Sequence, residues 1–176
     1  MTRETFQKQI LPLQHKLLRY ALSLTSNRMM AEDIVQEVFL KLWDQRQQLD
    51  QIKQLEGWCI RLTRNKAYDK LRLHGNKTVE LKLASGLATR EEIPDKNTEN
   101  KDLLEAIQAI LQLLPEKQRE IFRLKDLLGY SNTEIQEILD LNASQVKVNL
   151  FRARRKIKSK LILLENYGLK NEKTSS

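Results

Sequence analysis

The chain has 176 residues, enough for one domain of ordinary size or two small ones. Its 31 Lys+Arg against 23 Asp+Glu give a formal charge of +8, which points to a polyanionic partner. A single cysteine, Cys59, excludes an internal disulfide and a thiolate metal cluster. The opening MTRETFQKQI lacks the apolar core of a secretion signal, and the longest wholly aliphatic run, Leu161 to Leu164, is far too short to span a bilayer. These features predict a protein of the reducing cytosol, without a membrane segment or a cofactor.

With only five Gly and three Pro, and plentiful Leu, Lys, Gln, Glu and Ala, the composition favours an all-α chain. Phe6, Ile10, Leu13, Leu17, Ala21 and Leu24 mark one helix face, with Pro12 set to bend it. Ser26 and Asn27 offer a turn and a cap, after which Ala31, Ile34, Val35, Val38, Phe39, Leu42 and Trp43 form a broad apolar stripe. Gln47 to Glu56 reads as a loop. A third helix is predicted from about Gly57 to Leu73, with apolar edges at Trp58, Cys59 and Leu62 and at Ile60, Ala67 and Leu71. Arg61, Asn65, Tyr68 and Arg72 share its remaining face at helical spacing.

From His74 to Asn100 the periodicity breaks at Gly75, Gly86 and Pro94, leaving a short helical tendency near Val79 to Leu83. This stretch carries a charge of −1, against +5 before it and +4 after it, and reads as a flexible linker. Helical spacing resumes at Leu103, Leu104, Ile107, Ile110, Leu111 and Leu114. Pro115 starts a further helix bearing Ile121, Phe122, Leu124 and Leu127, and Gly129 stops it. Two last helices, Ser131 to Leu139 and Ala143 to about Leu164, precede a polar tail expected to be disordered. The predicted organisation is a helical domain over 1–75, a linker over 76–100, a second helical domain over 101–165 and a tail over 166–176.

The last two helices have helix-turn-helix spacing. Val146, Leu150, Ala153, Ile157 and Leu161 fall on one face of the longer helix, while Lys147, Val148, Phe151, Arg152 and Arg155 fall opposite. An aromatic on the outward side beside two arginines suits contact with base edges in a major groove. Lys147 to Lys160 holds seven basic residues and no acid, a run able to neutralise several phosphates. The plain alternative is a solvated helix end favoured by the helix dipole. Gln136 and Asp140 stand where a small residue and a glycine are usual, which puts the helix crossing at issue.

Three blocks resemble a known family. A-E-D-I-V-Q-E-V-F-L-K-L-W, Ala31 to Trp43, resembles the polymerase-binding helix of region 2 of bacterial RNA polymerase sigma factors, and Trp58 to Arg72 is similar to the promoter-melting helix of that region. L-P-E-K-Q-R-E-I-F, Leu114 to Phe122, with S-N-T-E-I-Q-E-I-L and V-K-V-N-L-F-R-A-R-R-K, resembles region 4. The short interval between the blocks, and the lack of an extended acidic N-terminal region, are similar to the extracytoplasmic-function group.

The resemblance implies core RNA polymerase, promoter DNA and an anti-sigma factor as partners. It gives Asp33, Gln36, Glu37 and Lys41 to core polymerase, with ordinary ion pairs on the helix surface as the alternative for the charged three. It sets Gln47 to Leu55 at a pocket for a flipped −10 base, and Arg61, Asn65, Tyr68 and Arg72 against the −10 strand, with plain surface or inter-helix polar groups as the alternative for Asn65 and Tyr68. Lys147, Val148, Phe151 and Arg152 would read the −35 element, Val148 by apolar contact with a thymine methyl. Arg155 joins them on the DNA side, and Arg154, Arg155 and Lys156 suit phosphates or helix packing. A free-standing helix-turn-helix regulator is the competing function; it explains the C-terminal half and leaves the first two blocks without a purpose. An enzyme is disfavoured, since His15 and His74 lack ligand spacing and Cys59 sits beside Trp58 on an apolar face.

Overall fold

The computed structural model describes the backbone of residues 1–82 and 109–173, with side chains over 1–74 and 109–163. The chain divides into two units, Met1–Pro94 and Asp95–Ser176, and every described element is helical.

In the first unit α1 (Arg3–Gln9) is capped by Thr2, whose hydroxyl accepts from the Thr5 amide at 3.2 Å. Pro12 breaks the helix outright where a bend was expected. It lies in a 3-10 turn, Leu11–Leu13, and α2 (Gln14–Thr25) follows at once. Proline removes an amide donor and its ring opposes the carbonyl four residues back, so a tighter turn relieves both problems. Ser26 ends α2 in the left-handed region at φ 53°, and Asn27 caps α3 (Arg28–Asp44) by accepting from the Met30 amide at 2.8 Å.

The predicted stripes form the core: Leu17, Ala21 and Leu24 of α2 meet Ala31, Ile34, Val35, Val38 and Leu42 of α3. Tyr20 is also fully buried, and Leu13 is half-exposed. Trp43 receives Phe6 edge-on at 5.2 Å and carries the Arg46 guanidinium 4.5 Å above its ring. A short 3-10 turn, Leu49–Gln51, anchors the loop before the next helix by burying Leu49.

Helix α4 runs Leu55–Lys82, so the stretch expected to begin the linker starts as helix. No proline interrupts it there, and extending a nucleated helix costs little per residue, with about 1 kcal/mol for a glycine such as Gly75. Cys59, Ile60, Thr63 and Ala67 are its buried side, Thr63 donating to the Cys59 carbonyl at 2.9 Å. The remainder of the expected linker, residues 83–100, lies outside the described residues, as does the start of the helix predicted from Leu103.

In the second unit that helix, α5, is described over residues 109–112. Pro115 is the N-cap of α6 (Glu116–Phe122), which widens into a π turn, Arg123–Leu127. Gly129 then turns the chain at φ 78°, a conformation that favours glycine. Helix α7 (Asn132–Leu139) opens with a capping box: Ser131 Oγ accepts from the Glu134 amide, and Glu134 accepts from the Ser131 amide at 2.7 Å. Asp140 takes the left-handed conformation at φ 54°, at a strain of about 1 kcal/mol. A reciprocal pair between Asn142 and Gln145 then caps α8.

Helix α8 runs Ala143–Lys173 and takes in most of the tail that was expected to be disordered. That stretch contains no proline, and helix propagation carries through Gly168 as through Gly75. Residues 174–176 lie outside the description.

Candidate nucleic-acid interface and docking face

The helix-turn-helix stands on the sorting of α8 into two faces. Val146, Leu150, Ala153 and Ile157 are buried, and Ala153 and Ile157 join Ile110, Leu111 and Leu114 in one apolar cluster, with Leu161 packed partly against it. Burying a side chain of this size contributes about 1.5–3 kcal/mol, which fixes the rotation of α8. Lys147, Val148, Phe151, Arg152 and Arg155 are thereby turned outward, as predicted from spacing. Phe151 is 66% and Val148 42% exposed, an apolar pair standing in water among cations. Phe151 also borders an open groove with Asn132, Lys147, Arg155 and Lys158.

The seven cations that look alike in sequence have different roles in the structure. Arg154 grips Asp126 through Nε at 3.1 Å and a second nitrogen at 2.5 Å, and its pKa is raised chiefly by those hydrogen bonds. Lys156 donates to the Leu113 carbonyl at 2.9 Å, closing the end of α5. Both brace α8 against the preceding elements. Among the described residues Lys147, Arg152 and Arg155 enter no ion pair. Gln136 folds back to donate to the Asn132 carbonyl at 3.1 Å, so its amide is stowed along its own helix.

The second unit also holds a feature that sequence reasoning missed. Glu120 and Arg123 form a salt bridge at 3.1 Å with side chains 1% and 2% exposed, and Arg123 is the largest fully buried side chain among the described residues. An i, i+3 acid–base pair in a basic chain carries no mark of burial in its spacing.

In the first unit α4 separates its faces in the same way. Arg61, Asn65 and Arg72 are exposed and Tyr68 is half-buried. The Arg64 guanidinium lies 5.0 Å over the Tyr68 ring, and Arg72 pairs with Asp69 at 3.1 Å. Arg64 was not singled out from sequence, although its position four residues before Tyr68 held the signal.

On α3, Asp33, Gln36 and Lys41 are exposed and Glu37 is half-buried. The carboxylates find their partners across the helix interface on α4. Lys66 Nζ donates to Glu37 at 2.8 Å, while Lys70 Nζ reaches Glu37 at 2.8 Å and Asp33 at 3.0 Å. The hydrogen bonds from Lys66 and Lys70 hold the Glu37 carboxyl below its ordinary range. For Lys70 burial of the ammonium pulls its pKa down, but the hydrogen bonds to Glu37 and Asp33 outweigh that and raise it.

Gln47, Gln48, Gln51 and Gln54 are exposed on the loop before α4. Burial pushes the Cys59 thiol up to about 12, which leaves it inert as a nucleophile. Among the described residues no helix is long and apolar enough to cross a membrane, and no cluster of His, Cys, Asp or Glu could hold a metal ion.

Two helical units, one with paired outward faces and one with a helix-turn-helix, define a class. Residues 10–76 match the Sigma-70 region 2 family and residues 104–157 match Sigma-70, region 4, together about two thirds of the chain. The chain is 28% identical over 156 residues to the ECF RNA polymerase sigma factor SigM of Bacillus subtilis, covering 88% of this chain and 91% of that one. It is 27% identical over 164 residues to the probable RNA polymerase sigma factor RfaY of Xanthomonas campestris, covering 91% of this chain and spanning 41% of that longer protein. The fold is similar to that of the sigma factor RpoE in its complex with the anti-sigma factor NepR from Bartonella quintana. The TM-score is 0.72 at 24% identity, over 90% of this chain and 97% of that one. The chain belongs to the RNA polymerase sigma factors of the extracytoplasmic-function type.

Proposed function

We infer that this protein binds core RNA polymerase and directs it to promoters by recognising −35 and −10 elements, without chemistry of its own. Its place of work is the cytoplasm, where polymerase and chromosome meet. The observation that carries the reading is the outward face of α8, where Phe151 and Val148 stand exposed among cations that enter no ion pair among the described residues. In the −35 major groove, Arg152 and Lys147 suit guanine edges, and Val148 and Phe151 suit thymine methyls, with Arg155 toward phosphate.

On α4, Arg61, Asn65, Tyr68 and Arg72 are proposed to meet the melted −10 strand, with the glutamine-rich loop at 47–55 holding the flipped base. Asp33, Gln36, Glu37 and Lys41 are proposed to dock on the polymerase. An anti-sigma factor is proposed as a further partner, since the similar fold of RpoE is found in complex with one.

The test is a mixture of this protein, core polymerase and a duplex promoter selected by the pair. Co-elution with polymerase and run-off transcription that depends on both elements are expected. Promoter binding without polymerase co-elution would make the protein a free-standing helix-turn-helix regulator.

A further inference from the structure

Glu37 is held at both oxygens, Oε2 by Lys66 and Oε1 by Lys70, each at 2.8 Å, and Lys70 extends to Asp33 Oδ2 at 3.0 Å. The four residues are two i, i+4 pairs, one on α3 and one on α4, so each charge is fixed to a helix backbone. Lys70 is the most covered of them, with 19% of its side chain exposed, while 64% of the Asp33 side chain faces solvent. A partner approaching α3 therefore meets Asp33 and Gln36 first, flanked by the exposed Met29 and Leu40, with the Lys70 side chain more covered than the carboxylates it binds.

We infer that Lys66 and Lys70 are positioning residues, which hold the Asp33 and Glu37 carboxylates in the orientation in which α3 meets core polymerase. The inference rests on the reading of α3 as the docking helix. Donors on a partner bind an ordered carboxylate more tightly than a mobile one. The ordering of each rotamer-rich side chain is worth about two- to tenfold in affinity. Simple charge counting predicts the opposite sign: if the lysines were mere neighbours, removing two cations would strengthen attraction for the same donors. The direction of the effect therefore separates the two accounts.

The experiment titrates core polymerase with the full chain carrying Lys66→Met and Lys70→Met, singly and together. It also uses Asp33→Ala with Glu37→Ala, and all four changes combined. The lysine double variant should bind about fivefold or more weakly. Lys→Arg at both sites should restore most of the affinity, and the four-fold variant should bind no worse than the carboxylate double variant. Circular dichroism identifies any variant that fails to fold, and the single lysine variants then carry the test. Equal or tighter binding by the lysine variants, beside weakened binding by the carboxylate variant, overturns the inference and leaves α3 as the docking helix. Further loss on combining the four also overturns it, since the lysines would then touch polymerase themselves. An unchanged carboxylate variant removes the docking reading and this inference with it.

Discussion

The two helical units both set acids against bases, and they do so in opposite surroundings. In the first, Asp33, Glu37, Lys66 and Lys70 form a surface network with the Asp33 side chain 64% exposed. In the second, Glu120 and Arg123 are buried at 1% and 2% exposure. Water screens the first set, so it adds little to stability while leaving its carboxylates open to a partner. The second set has left water entirely, and its attraction must offset the desolvation of both ions. One arrangement suits a face that exchanges partners, the other a scaffold that holds a reading helix still.

The largest expected effect breaks this comparison at its buried end. Arg123→Met leaves the Glu120 carboxylate without its guanidinium and should destabilise the second unit by about 3–5 kcal/mol. Replacing both, Glu120→Leu with Arg123→Met, should cost far less, because neither charge then remains buried. Denaturant unfolding followed by circular dichroism measures both. If the double replacement lost as much as the single one, the pair would be contributing net attraction and not merely satisfying itself. Glu120→Leu with Arg123→Met would then also mark the site as one that apolar packing cannot replace.

A smaller effect tests the exposed cations of α8 against those held in place. Arg152→Ala should weaken binding to the selected promoter by about 1–3 kcal/mol and relax preference in the upstream element. Arg154→Ala removes the Asp126 bridge and should lower stability by up to about 1 kcal/mol without changing that preference. Competition binding with promoter and random duplexes separates them. Equal loss on both duplexes for Arg152→Ala would make it a phosphate contact.

Much of this was legible in the sequence because it rests on local rules. The buried stripe Val146, Leu150, Ala153 and Ile157 follows from helical spacing, and the outward Phe151 follows as its complement. Ser26, Asn27 and Gly129 announced helix ends through turn chemistry. Arg154 with Asp126 and Lys70 with Glu37 are joined across long stretches of chain, where spacing says nothing of contact. Tyr20 and Arg123 were passed over because polar-tipped residues default to the surface, and only tertiary packing moves them inside. The lengths of α4 and α8 escaped for a different reason. Glycine and polar composition suggested a stop, whereas propagation from a long, packed helix continued past them.

The smallest effect concerns the exposed network and its dependence on pH. The folded-state pKa of Glu37 lies below its ordinary 4.5, so its contribution is complete above that value and fades as pH falls through the folded value. That of Lys70 lies above its ordinary 10.5, so its contribution is complete below that value and fades as pH rises through the folded one. Between these limits the network should add a constant increment, about 0.2–1 kcal/mol per screened pair, which shrinks further with added salt. Glu37→Gln should therefore cost about that much near neutrality, and its difference from the parent protein should close as the solution is acidified below 4.5. Unfolding free energies of the two proteins across the acid range measure this. A difference that persists undiminished after the carboxyl is protonated would mean that Glu37 holds α3 and α4 together by packing, and the contrast with the buried pair would lose its electrostatic basis.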